Sequence, residues 1–414
     1  MTLAHVQTTI ATPPGGSRPF HRSLPLLLAF MTALGPFSVD AYLPSFPEIE
    51  KGLQASPFEV QQTLSIFLAS FAFMTLWHGA ISDALGRRRV TLVCLGLFAL
   101  SSVGCAWSRT VGALWVFRGL QGVTSGAGIV LGRAVVRDLL QGPEAQRMMS
   151  RITMMFALAP ALAPIVGGWL DKWFGWQSLF YFLVLMAGVQ WLWCWWALPE
   201  TLPPEKRHPL HPMFLLRSYY SALTEPAFLA VTGVISLNFA GFFLYVVSSP
   251  KFLIDHLHIP QTGFYWLFVP AMAGMMIGAW LSGRLAGKIT PMRTIAIGSL
   301  VMAAAALCNV VINLLLPPGL PWSVAPIFPY VLGMSLTMPS LTLLGLERFR
   351  GQWGLGSSCQ VFIQTGVNSL NAAFLAPLLW VSPLHLALGQ LGLLAAGFGC
   401  LAVYRWRTRA AALA

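Results

Sequence analysis

The stretch Met31 to Pro44, MTALGPFSVDAYLP, sets one carboxylate, Asp40, inside what otherwise reads as a membrane-spanning helix. A carboxylate left in hydrocarbon costs about 2.5–3.5 kcal/mol or more, so such groups face water or a partner and handle ions or protons. No other acid of the chain is so deeply embedded in an apolar run. The matching cation is Arg118, about two turns into a run that begins near Val111. At about 1.5 Å per residue, both groups lie roughly 5–10 Å below the same bilayer face and can meet if their helices touch. Burial disfavours the charged carboxylate and a nearby guanidinium favours it, so hydration or a shift of Arg118 would switch proton affinity. The blander arrangement is a hydrated helix-end acid and an arginine that ties backbone carbonyls together.

Uncharged polar groups recur at helical spacing. Arg118, Gly122 and Ser125 share one face with small neighbours, which suits a ligand or simply close packing. Gln360, Gln364, Asn368 and Asn371 fall within about 80° of arc. Asn238, Tyr245 and Ser249 repeat the pattern earlier in the same half. Such stripes line a wet substrate cavity or make hydrogen bonds between helices. Tryptophans 191, 193, 195 and 196 read as an interfacial aromatic belt, and His78 and His385 lack partners at ligand spacing. There is no Cys/His spacing for zinc and no GxxxxGK[ST] loop for a nucleotide, so no metal and no cofactor is expected. No convergent cluster of His, Cys and carboxylate suggests an enzyme.

The elements that must hold these groups follow from composition. Of 414 residues, 56% are hydrophobic and 9% charged; a soluble domain carries about 25% charged residues. Runs of about 20 apolar residues, enough to cross a bilayer, predict an all-α integral membrane protein with spans at 23–43, 58–80, 90–107, 111–135, 149–171 and 177–198, then 227–249, 263–283, 293–315, 323–345, 355–379 and 385–404. This makes twelve helices in two six-helix bundles, 23–198 and 227–404, joined by a proline-rich linker at 199–226. Tails 1–22 and 405–414 flank them, and the first span is expected to stay as an anchor, with no cleavage site before it.

The net charge of +12 sorts by side. Nineteen Lys and Arg fall on one side, including Arg87, Arg88, Arg89, Arg217 and Arg405, against Lys51, Arg109, Lys172 and Lys251 on the other. Basic loops are retained in the cytoplasm, which predicts that both termini lie there. The charge therefore answers to the bilayer, and no nucleic-acid partner is expected. Gly79-Ala-Ile-Ser-Asp-Ala-Leu-Gly-Arg87 and Gly278-Ala-Trp-Leu-Ser-Gly-Arg284 follow equivalent spans, and repeated halves are a transporter signature.

Gly79, Asp83, Gly86, Arg87 and Arg88, read as a loop between spans 2 and 3, resemble the signature motif of the major facilitator superfamily. The resemblance implies a conformational latch there, weakened by Ala84 where the family carries a basic residue. Ser38-Val-Asp-Ala-Tyr-Leu-Pro44, Arg118-Gly-Leu-Gln-Gly122, Val136-Arg-Asp138, Arg147-Met-Met-Ser150, Ala163-Pro-Ile-Val-Gly-Gly168 and Leu198-Pro-Glu-Thr-Leu-Pro203 look like the drug/proton antiporters of the bicyclomycin and chloramphenicol resistance (Bcr/CflA) group. By that similarity Asp40 and Arg118 couple protons, and Pro160, Pro164, Gly167 and Gly168 form the antiporter motif of helix five, with Ala163 in place of a glycine. The implied activity is proton-driven multidrug efflux across a bacterial inner membrane by a functional monomer, with small amphiphilic substrates and the proton gradient as energy source. A proton-coupled importer of a metabolite, or a membrane receptor or enzyme, would fit the same fold.

Overall fold

The computed structural model describes residues 23–140, 142–207, 211–347, 349 and 353–413; the tail 1–22 lies outside them, as do Arg348 and Arg350. The described residues form sixteen α-helices. The first half holds α1 (Leu24–Asp40), α2 (Phe46–Leu53), α3 (Pro57–Leu85), α4 (Arg87–Ala106), α5 (Val111–Ser125), α6 (Ala127–Leu139), α7 (Gly142–Phe174) and α8 (Gln177–Ala197). The linker contributes α9 (Pro212–Leu223). The second half holds α10 (Pro226–Val247), α11 (Tyr265–Leu285), α12 (Pro291–Leu315), α13 (Ile327–Leu346), α14 (Trp353–Leu370), α15 (Ala376–Leu379) and α16 (Pro383–Leu413).

Local chemistry sets the helix starts. Ser56 and Glu59 form a reciprocal capping box ahead of α3, with the Ser56 N–H donating to Glu59 Oε2 at 2.8 Å and the Glu59 N–H to Ser56 Oγ at 3.3 Å. Thr110 caps α5 and Thr290 caps α12 in one direction only, each hydroxyl accepting from an N–H of the first turn. Pro57, Pro226 and Pro291 occupy first turns, where no amide donor is needed.

Among the described residues, nine helices are long and apolar enough to cross a membrane. The other three expected spans fall on the α5–α6 pair, on α7 and on α14. Side chains such as Leu100, Leu300 and Leu315 stand exposed around the bundle, as lipid contact requires.

Several boundaries differ from expectation. Span 1 ends at Asp40 and passes through a 3-10 turn, Leu43–Ser45, into α2. Span 4 is broken after Ser125, in a glycine-rich stretch of low helix propensity. Helix α3 runs on to Leu85, so Gly79 and Asp83 belong to a helix rather than a loop. Span 11 continues through a π-helical turn, Asn371–Leu375. The expected C-terminal tail begins inside α16.

In the first half α1 packs on α7, α3 on α5 and α4 on α8; in the second, α10 packs on α16 and α13 receives α11 and α12. The halves meet where α3 runs against α14 and α7 against α11. At the end far from the arginines, Gln62 Nε2 donates to the Ala373 carbonyl at 3.0 Å and Ser369 Oγ to the Ser65 carbonyl at 2.8 Å. At the arginine-rich end α9 bridges the halves: Tyr219 Oη donates to the Leu76 carbonyl of α3 at 2.5 Å, and Ala222 packs in one apolar cluster with Cys359 and Phe362 of α14.

Candidate functional site

Arg118, at 0% exposure, is the largest fully buried side chain of the described residues. It projects from the middle of α5, where Gly122 allows the backbone of α3 to approach: a Cβ on Gly122 would strike the Phe67 carbonyl. The face of Arg118, Gly122 and Ser125 is therefore a close-packed one. The guanidinium donates through Nη1 to Gln121 Oε1 at 2.8 Å and through Nη2 to the Ser38 carbonyl at 3.1 Å. It lies between the rings of Tyr42, 4.5 Å away, and Phe67, 4.4 Å away. Gln121 Nε2 in turn donates to Ser102 Oγ at 2.7 Å. One polar thread thus joins α1, α5 and α4, and the aromatic faces stabilise a cation that water cannot reach.

Asp40 is 7% exposed and forms no ion pair or hydrogen bond with any described residue. Helices α1 and α5 do touch through Ser38, but Arg118 does not meet the carboxylate. The reason is helical phase: Ser38 of α1 and Tyr42, just past its end, are turned to Arg118, and a residue two positions from each lies about 200° round the axis. Sequence reasoning also missed Gln121, Ser102, Tyr42 and Phe67. Only Gln121 left a signal, one turn beyond the arginine. Asp40 is not the only buried acid either. Asp171, three residues from the end of α7, is 4% exposed; with Lys172 beside it near a helix end, it reads in sequence as a surface residue.

The signature residues assemble at the arginine-rich end. Gly86 separates α3 from α4 at φ +98°, where side chains are strained, and a Cβ there would strike the Glu200 carboxylate. This turn delivers Arg87, 3% exposed, to Asp83 Oδ1 at 2.6 Å, Asp138 Oδ2 at 3.1 Å and Ser82 Oγ at 2.5 Å. The Arg87 N–H donates to Glu200 Oε1 at 2.8 Å, and Thr201 Oγ1 to Asp138 Oδ2 at 2.9 Å. Arg88 leaves the cluster, donating to the Trp195 carbonyl at 2.6 Å and lying over that ring. Asp138, Glu200 and Thr201 had no role read from sequence. They tie α4 to the ends of α6 and α8, so in this structure the cluster joins elements of the first half to one another.

Pro160, Pro164, Gly167 and Gly168 lie within α7. A Cβ on Gly167 would strike the Ala41 carbonyl at the end of α1, and one on Gly168 the Gln261 carbonyl in the 3-10 turn Gln261–Gly263 of the other half. Adjacent glycines therefore serve two different contacts.

The two polar stripes do not converge. Tyr245 Oη accepts from Asn309 Nδ2 at 2.7 Å, Asn309 also donates to Gln390 Oε1 at 2.9 Å, and Asn238 lies against Gly397. The α10 stripe thus faces α12 and α16 inside the second half. Asn309 and Gln390, polar residues in apolar runs, went unremarked in sequence. On α14, Gln360 donates to Thr342 Oγ1 at 3.2 Å, and in the turn that follows it Asn371 donates to the Ala240 carbonyl at 2.9 Å. Asn238, Ser249 and the Asn368 side-chain oxygen are buried without partners, and Gln364 bonds to no described residue.

Paired helical halves with a fully buried guanidinium and an unpaired carboxylate within the membrane helices define a multi-pass membrane transporter. The chain belongs to the Major Facilitator Superfamily, whose family model matches residues 28–357. It is 33% identical to an uncharacterized MFS-type transporter, YdgK, of Bacillus subtilis (strain 168), over 79% of this chain and 81% of that one. It is 33% identical to a bicyclomycin resistance protein homolog of Haemophilus influenzae over 64% and 66% of the two chains. A multidrug resistance protein D of Escherichia coli (strain K12) matches at 26% identity over 93% and 95%. The fold is shared with the human organic anion transporter MFSD10 (TETRAN), with a TM-score of 0.66 at 20% identity over 93% of this chain and all of that one.

Proposed function

We propose that the protein exports small amphiphilic compounds in exchange for protons, by alternating access to a cavity between its halves. The observation that carries this is Asp40, a buried carboxylate with no partner among the described residues, two residues along α1 from the Ser38 carbonyl on which the Arg118 guanidinium rests. Ionisable groups inside membrane helices mark ion and proton pathways, and a carboxylate so placed fits that role. Arg118 is close enough for a small rotation of α1 to change what the carboxylate faces. The bicyclomycin and multidrug resistance names of the relatives support drug efflux in particular.

External protons load Asp40 and substrate enters from the cytoplasm or inner leaflet; the two ligands compete by stabilising opposite states. Gln364 and Asn368 of α14 and Asn371 of the turn that follows it, beside the seam with α3, are the substrate contacts of the second half. The Arg87 cluster keeps the ends of α3, α4, α6 and α8 together as one moving body. The protein works as a monomer in a bacterial inner membrane with both termini in the cytoplasm, which places the far end of the bundle outside. The proton gradient alone drives it.

Everted vesicles test the proposal. An imposed gradient, acid inside, should drive accumulation of a bicyclomycin-like or cationic amphiphilic compound, and Asp40→Asn should abolish the dependence on the gradient. Gradient-driven accumulation that persists in Asp40→Asn would remove Asp40 from the coupling role.

A further inference from the structure

At the far end of the bundle three segments converge: the end of α7, the turn Leu43–Ser45 that follows α1, and the turn Gln261–Gly263 of the other half. Gly168 seals the seam against the Gln261 carbonyl. One turn further along α7 stands Asp171, with both carboxylate oxygens buried and without a partner at hydrogen-bond geometry. The Ser45 hydroxyl lies within reach of this carboxylate, although the pair falls short of good hydrogen-bond geometry.

The surrounding charges do not rescue a carboxylate. From α2 the neighbour is Glu48, of like sign and itself paired with Lys51 at 3.5 Å. On α7, Lys172 stacks over Trp169 at 5.4 Å. The turns Leu43–Ser45 and Gln261–Gly263 contain no titratable residue. An ionised carboxylate buried without a partner is so costly that such a group takes up a proton instead. The Ser45 hydroxyl can donate to the carboxylate or accept from the protonated acid, so it serves either form and burial tips the balance.

We propose that Asp171 is a second proton-binding site, loaded while the far seam is closed and emptied when the halves part there and water reaches it. The site rests on the antiport reading only for its use in transport; its occupancy is a property of the closed seam. Because the closed state holds one proton more, raising the pH favours opening, by up to about tenfold in the closed-to-open ratio per pH unit. If Asp171 and Asp40 load on opposite faces of the cycle, closure of the far seam itself consumes a proton.

Two measurements on the full chain in lipid nanodiscs test this. In infrared spectra at mildly acid pH, the carbonyl band of a protonated carboxylic acid should lose intensity in Asp171→Asn, keep the Asp171 share in Asp40→Asn, and fade as pH rises. Spin labels on Arg109→Cys and His258→Cys, exposed on opposite halves, should report seam opening with rising pH in the parent protein. That dependence should be flat in Asp171→Asn, which mimics the neutral acid, and restored in Asp171→Glu. A protonated-acid band equal in parent and Asp171→Asn, or an unchanged pH profile of opening in that variant, overturns the proposal. Neither readout requires transport, so a failure of proton-driven efflux in vesicles would count against the antiport reading and leave Asp171 standing.

Discussion

Gly168→Ala isolates the contact that shuts the far end of the molecule. The added Cβ runs into the backbone carbonyl of Gln261, which no side-chain rotation can relieve. Overpacking of this kind costs about 1–3 kcal/mol, and only the closed seam contains the contact. Taking about 2 kcal/mol, at about 1.4 kcal/mol per decade, the closed-to-open ratio should fall about 30-fold. The gain in helix propensity from glycine to alanine applies to both states and cancels. Pulsed electron resonance between spin labels on Arg109→Cys and His258→Cys should show a new long-distance population. Gly188→Ala on α8, where a Cβ meets nothing within 4 Å, should leave the distribution unchanged. Gly167→Ala, which strikes Ala41 inside the first half, should lower Tm without moving the labels apart. A Gly168→Ala distance distribution identical to that of Gly188→Ala would refute the assignment of this glycine to the gate.

Other substitutions probe the remaining contacts. Arg118→Met leaves the Ser38 carbonyl and Gln121 Oε1 without donors, at about 1–3 kcal/mol each, so thermal unfolding in detergent should begin several degrees lower. Arg118→Lys keeps the charge but loses the fork, and should recover stability only in part. Arg87→Ala leaves Asp83 and Asp138 facing each other's charge without their cation. About 3–5 kcal/mol is the cost for a fully buried pair, and the exposure of Asp83 brings the expected loss toward the low end; differential scanning fluorimetry reads it. Tyr219→Phe removes one hydrogen bond between linker and α3, worth about 1 kcal/mol, and should quicken proteolysis within the linker.

The sequence made the membrane helices and their pairing into halves plain, because hydrocarbon demands about 20 apolar residues wherever it is crossed. The deep charges at Asp40 and Arg118 were equally visible, since no other charge lies so far inside their runs. What charge spacing could not supply was phase. Asp40 and Arg118 lie at similar depth, yet the turn of α1 presents Ser38 and Tyr42 instead. Asp171 was hidden for the opposite reason: it stands next to a lysine near a helix end, and only the fold covers it. The partners of Arg87 at Asp138 and Glu200 are 51 and 113 residues away, a separation that no periodicity encodes. The α10 stripe was legible as a stripe, but which neighbours it faced depended on the packing of α12 and α16.

The helix inside the linker has its own consequence. Because α9 clasps α3 on one side and α14 on the other, the connector is a buckle rather than a slack strap. Halves synthesised as two separate polypeptides, cut anywhere between Leu198 and Pro212, would still carry that buckle on the second piece and could rejoin through it. A cut after Leu223 would strand it on the first piece. Split-gene complementation should therefore depend on which side of α9 the break falls.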